Sequence, residues 1–152
     1  MVDVIILEEA RYLFADTFIE FPNFENQLIS VFKEYIESNR TKVPDIFGRD
    51  VPYRQPNRLY ELNVQHIHLK LPPNRFPKNQ PQYYRCNATK EPNKDIFLVY
   101  VISDFNPKRF ALLAILRPHA HKKSKERRIL NLFCQLAEKY QEQEFELYCA
   151  TD

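Results

Sequence analysis

Glycine is almost missing from this chain: Gly48 stands alone among 152 residues. Loops of the G-x-G-x-x-G and G-x-x-x-x-G-K-[ST] types are thereby excluded, because both need several glycines to bring backbone amides against a phosphate. Nucleotide-cofactor folds built on such loops go with them. The G-x-S-x-G elbow and the H-E-x-x-H zinc helix are absent as well. Cysteine is scarce, and Cys86, Cys134 and Cys149 form no Cys-x-x-Cys pair, which argues for reduced thiols over a disulfide framework or zinc site. No apolar stretch approaches the roughly 18–20 residues that cross a bilayer. The five-residue apolar run near the N-terminus follows no basic segment, so no leader is expected. The expected setting is cytoplasmic, with no membrane partner. Phosphate contacts, if any, must come from side chains.

Histidine is also rare, and every one sits in a His-x-His pair: His66 and His68 in QHIHLK, His119 and His121 in RPHAHKK. Both pairs lie in the basic part of a polarised chain. Residues 51–130 carry 16 Lys/Arg against 5 Asp/Glu, whereas residues 1–50 carry 5 against 10 and residues 131–152 carry 1 against 5. The whole-chain net charge of +2 hides this. A concentrated positive field attracts polyanions, and imidazole moves protons at neutral pH.

Apolar content of 44% and charged content of 28% over this length predict one soluble domain with a real core. Arg11 to Phe21, aromatic and β-branched and stopped by Pro22, reads as a strand. Asn23 then caps a helix in which Leu28, Phe32, Tyr35 and Ile36 recur at helical spacing to about Ser38. Arg40 to Pro56 reads as a structured loop in which Gly48 supplies a positive φ and Arg49 pairs with Asp45 or Asp50. Leu59 to Lys70 reads as a strand whose apolar face switches midway, from a bulge or from cover on both sides. Residues 72–94 hold five prolines and read as an excursion with one short strand at Tyr83 to Asn87. Ile96–Ile102 and Phe110–Leu116 are continuous apolar runs, a buried hairpin at the middle of the sheet. Ile129, Leu132, Phe133, Leu136 and Tyr140 mark a long amphipathic helix from near Ser124. The expected fold class is α+β, with a single antiparallel sheet of four or five strands and flanking helices.

Side chains two apart on a strand share a face, so His66 and His68 point the same way. Three readings stand: surface imidazoles without a role, proton transfer, or metal binding. Two His-x-His pairs offer four nitrogen ligands, but the neighbouring lysines and arginines would repel a cation, and no metal or other cofactor is expected. Arg117, Lys122, Lys123, Lys125, Arg127 and Arg128 crowd the start of the last helix, where cations oppose the helix dipole. That placement suits a bound anion, or a merely solvated charge run. Arg85 lies beside Tyr83 and Tyr84 in QYYRCN, which fits a base-stacking or phosphate-clamping arrangement or, equally, tyrosines of the core. Metal-free RNA cleavage needs a base for the 2′-hydroxyl, an acid for the leaving 5′-oxygen and cations for the phosphate. His66, His68 and His121 can supply the first two; Arg85, Arg117 and Lys122 the third.

The runs VPDIFGRD (Val43–Asp50), HIHL (His66–Leu69), QYYRCN (Gln82–Asn87), FLVY (Phe97–Tyr100) and ALLAILRPHAHK (Ala111–Lys122) occur in order. With them the chain resembles the YafO family, toxin halves of bacterial type II toxin–antitoxin pairs, from about Arg11 to Tyr140. Asp45, Gly48, Arg49, Asp50, His66, His68, Arg85, Asn87 and His121 match the family pattern. His119 stands where an acidic residue is familiar, and Arg117 replaces a lysine. Residues 1–10 read as a short N-terminal extension and residues 142–152 as an acidic tail on one toxin domain, 1–152. The resemblance implies a RelE-like layout, a ribosome-dependent mRNA endonuclease, and a cognate antitoxin as partner beside ribosome and mRNA. The catalytic candidates are then His66, His68, Arg85 and His121. The candidates for holding RNA or ribosome are Arg49, Lys70, Asn87, Arg117, Lys122, Lys123, Lys125, Arg127 and Arg128. A non-catalytic ribosome- or RNA-binding inhibitor, and a metal-dependent enzyme using the histidine pairs, are the rivals.

Overall fold

The computed structural model describes residues 1–87 and 90–151. In chain order these form strand β1 (Asp3–Ile6), helices α1 (Ala15–Glu20) and α2 (Phe24–Glu37), strand β2 (Phe47–Pro52) and helix α3 (Asn57–Glu61). Strands β3 (Val64–Leu69), β4 (Phe97–Ile102) and β5 (Arg109–Leu116) follow, then helices α4 (Ala120–Lys123) and α5 (Arg127–Ala150). Short 3-10 turns span Glu8–Leu13, Gln82–Tyr84 and Pro92–Lys94. The class is α+β, as expected, with one five-stranded sheet in the order β1-β5-β4-β3-β2. Four strands pair antiparallel; β1 joins the far edge parallel to β5, which makes the sheet mixed.

Both sheet faces are covered, which explains the unbroken apolar runs of β4 and β5. Leu98 and Tyr100 pack with Phe24, Leu28, Phe32 and Tyr35 of α2 on one side. Phe97, Val99 and Val101 pack with Ile129, Phe133, Leu136 and Tyr140 of α5 on the other. The expected buried hairpin is therefore β4–β5, and the expected helix over Leu28–Ile36 is α2. Asn23 precedes α2, but its side chain makes no capping hydrogen bond.

Four local expectations are corrected. Arg11 to Phe21 is not a strand: it ends one 3-10 turn and forms α1. Phe14, Thr17, Phe18 and Phe21 recur at helical spacing, and the Phe14 and Phe18 rings stack at 5.4 Å, so burial along one helical stripe overrides the β-propensity of the residues. Arg40 to Pro56 is not all loop, because it contains β2, an edge strand that tolerates Pro52 at its end. Leu59–Lys70 is not one strand but α3 followed by β3, joined through Asn63 at φ 61°. The face switch inside β3 comes from cover on both sides, one of the two expected causes. Val64 then faces α5 while Ile67 and Leu69 face α2. Tyr83 to Asn87 holds a 3-10 turn where a strand was expected.

Candidate active site

β3 delivers His66 and His68 to the face that α5 covers, beside Phe97 of β4. α4, inserted before α5, brings His121 to the same ring. The three imidazoles close around Phe97, with centroids 4.7, 4.8 and 4.8 Å from it. His68 lies between the others, 6.5 Å from His66 and 5.1 Å from His121. The expectation that His66 and His68 share a face holds.

Each ring is held differently. His68 is buried, and its Nδ1 accepts the backbone N–H of Asn87 at 2.9 Å. The neutral ring therefore carries its proton on Nε2, as a donor. His66 is half-buried against the Tyr53 ring at 4.3 Å, with Nδ1 enclosed and unpartnered, so it exchanges protons through Nε2. Burial, then the His121 ring and Arg49, lower the His66 pKa from 6.5 to about 4. Burial first, then the His121 and His66 rings and Arg49, lower that of His68 to about 3 against a weaker opposing pull from Asp95. Both rings are neutral at pH 7. His121 is tied to the buried Asp95, whose Oδ1 lies 2.6 Å from Nδ1 and whose Oδ2 accepts the His121 backbone N–H at 3.0 Å. Nδ1 is then the donor, and Nε2 is left for chemistry. Asp95 was missed in the sequence, where it is one acid in a polar stretch 26 residues from His121.

Arg49 borders this cluster from β2. Its guanidinium stacks on Tyr83 at 4.4 Å and donates to the Tyr83 hydroxyl at 3.3 Å; it pairs with neither Asp45 nor Asp50. Asp50 instead accepts from Tyr35 at 2.6 Å, Tyr100 at 2.8 Å and Arg40 at 3.4 Å on the α2 side. Asp45 stands 3.9 Å from Lys78. Gly48 has no positive φ. A Cβ there would strike the Arg85 carbonyl, with Phe76 at 2.8 Å and the His68 Cβ at 3.0 Å; close approach, not backbone conformation, requires glycine.

Arg85 does not face the imidazoles. Buried, it donates to the carbonyls of Gln80 (2.9 Å), Phe47 (3.1 Å), Pro44 (3.2 Å) and Lys78 (3.3 Å). With four of its five N–H donors on backbone carbonyls, it clamps residues 78–85 onto β2. Asn87 is also buried, donating its side chain to the Ile96 carbonyl, so it positions His68 where an RNA contact was expected.

The cations near the last helix divide into two groups. Arg117 is held by Glu20 at 2.8 Å, and Lys123 donates to the Arg117 carbonyl at 3.0 Å. Lys122, Lys125, Arg127 and Arg128, which follow His121 in the chain, are exposed. Lys70 stands over Phe76 at 5.0 Å and lines a cavity of about 490 Å³ with Lys94, Arg117, Asp16 and Glu20. His119, at φ 58°, is exposed and outside the imidazole cluster. Among the described residues, no three His, Cys, Asp or Glu side chains are grouped to hold a metal. No helix there is long and apolar enough to cross a membrane. The cysteines are free thiols.

The model of the family described as Toxin YafO, type II toxin–antitoxin system, matches residues 33–142, which hold all three imidazoles, Asp95 and Arg49. A curated relative, the mRNA interferase toxin YafO of Escherichia coli (strain K12), is 32% identical over 119 residues, 75% of this chain and 85% of its own. No solved structure gives a significant match. The chain belongs to the YafO family of toxins of type II toxin–antitoxin systems.

Proposed function

We propose that this chain is an mRNA interferase that cuts message on the ribosome, and that the imidazoles around Phe97 carry the cut. The supporting observation is that three histidines converge in three different settings: His66 neutral by burial, His68 fixed as a donor, and His121 backed by a buried carboxylate. Chemically alike groups held in different surroundings are how a site divides base from acid. His66 Nε2 takes the proton of the 2′-hydroxyl. The 2′-oxygen then bonds to phosphorus, and the bond from phosphorus to the 5′-oxygen breaks. To act as the acid, His121 enters this step protonated on both ring nitrogens and gives the leaving oxygen its Nε2 proton, while Asp95 keeps hold of Nδ1. The products are a 2′,3′-cyclic phosphate and a 5′-hydroxyl end. His68, between the two, donates its Nε2–H to a non-bridging phosphate oxygen. Arg49 supplies positive charge on the same side.

Lys122, Lys125, Arg127 and Arg128, exposed in the segment that follows the acid, form the electrostatic approach for the RNA backbone or ribosomal RNA. The family implies an antitoxin partner, which silences the toxin by covering this face. The test is a purified translation reaction in which message ends are mapped after addition of toxin. Cut message with 5′-hydroxyl ends, abolished by a 2′-deoxy nucleotide at the cut position, is the expected outcome. Translation arrest with intact message would overturn cleavage in favour of a ribosome-blocking protein.

A further inference from the structure

Tyr83 and Tyr84 stand out from the body of the protein at 61% and 66% exposure. Two large aromatic rings held side by side in solvent bury little of their own area and offer a contact surface. They are not on a loose loop. Gln82 donates at 2.9 Å to both the Tyr35 hydroxyl and the Gly48 carbonyl, and Arg85 is fastened by its four carbonyls. The two rings are thus presented from anchors on either side. They meet edge to face at 5.4 Å and 89°, and Arg49 covers one face of Tyr83. The same short segment runs on to Asn87, whose amide sets the tautomer of His68.

We infer that Tyr83 and Tyr84, with Arg49, are the nucleobase platform of the site, stacking an unpaired base of the message beside the scissile phosphate. The inference rests on the RNA-cleaving reading and names the residues that position its substrate. Single-stranded RNA is held by stacking on aromatic and guanidinium planes, since its bases are free of partners. Arg49 serves both ends of the contact, packed on the platform and adding charge next to His66 and His68. The pyrimidine or purine that stacks lies next to the cut, so the platform contributes to which positions are cut.

The experiment compares the parent with Tyr83→Ala, Tyr84→Ala and Tyr83→Phe in the purified translation reaction. It also measures binding of a single-stranded oligoribonucleotide and its abasic counterparts to a His66→Ala background. Expected are a rise of about 10-fold in KM for Tyr83→Ala, a changed set of cut positions, and near-parent behaviour of Tyr83→Phe, which keeps the ring. One abasic position should weaken binding to the His66→Ala protein by a similar factor and leave the Tyr83→Ala combination unaffected. Parent KM and parent cut positions in both alanine variants would overturn the platform while leaving cleavage intact. Loss of antitoxin binding alone would assign the tyrosines to the protein partner and overturn it equally. If the parent cuts no message, equal binding of the intact and abasic oligoribonucleotides overturns the platform on its own.

Discussion

Asp95 grips His121 at two points, its Oδ1 2.6 Å from the ring Nδ1 and its Oδ2 3.0 Å from the backbone amide of the same residue. The bond to the amide fixes the start of α4, and the contact with the ring fixes the tautomer. One carboxylate therefore sets both the position of the proposed acid and which of its ring nitrogens faces the site.

Asp95→Asn keeps the size of the side chain and removes its charge. Cleavage of ribosome-bound message by this variant is expected to fall by about 10²–10⁴-fold, the usual worth of a positioned acid. His121→Ala should fall as far, and the double variant little further, because the two act as one unit. End-mapped cleavage rates, with circular dichroism to confirm folding, check this. Additive losses would separate Asp95 from the acid step.

Protein stability should depend on pH through His66 and His68. Their folded pKa values, about 4 and about 3, lie below the ordinary 6.5, so the unfolded chain takes up protons first as pH falls. The stability they contribute is complete above about 6.5 and is lost between there and pH 4 to 3. His68→Asn keeps an acceptor for the Asn87 amide without titrating. Its Tm relative to the parent should therefore improve by about 5 °C between pH 7.5 and pH 4.5. A constant difference across that range would show that burial does not depress His68.

Gly48→Ala is expected to cost about 1–3 kcal/mol, because the added methyl meets a backbone carbonyl and two packed side chains. The midpoint of urea unfolding should drop with an unchanged slope. Arg85→Ala should cost about 3 kcal/mol or more, leaving buried carbonyls without donors. Its residual activity should track the folded fraction. A stable Arg85→Ala protein with normal binding and a depressed turnover would return Arg85 to the chemistry.

Charge reversal of Lys122, Lys125, Arg127 and Arg128 to Glu should abolish detectable ribosome or RNA binding at moderate salt. In the parent, log affinity should fall linearly with log salt, by close to one slope unit for each phosphate contact. A binding curve insensitive to salt would remove these residues from the interface.

The side-chain inventory and its local spacing determined much of this protein. The helical stripes of α2 and α5 and the shared face of His66 and His68 follow from periods of 3.6 and 2 residues, while the apolar runs of β4 and β5 and the polarised charge follow from composition along the chain. The motifs from Val43 to Lys122 were enough to point to the family, and the lone glycine excluded whole classes of phosphate-binding fold. Periodicity states which face a residue takes, but not what the chain brings to meet it. Asp95 joined His121 across 26 residues only once β4, β5 and α4 had closed around Phe97. Arg85 looked like a free cation beside two aromatics, yet a guanidinium surrounded by carbonyls is satisfied by backbone, so it turned inward and left Tyr83 and Tyr84 outside. Gly48 was needed for the carbonyl that crosses above it, and β1 became an edge strand by pairing with residues more than 100 positions away. Those contacts arise from three-dimensional closure of the chain, where the burial and hydrogen bonding of distant segments decide what a charge or an imidazole can do.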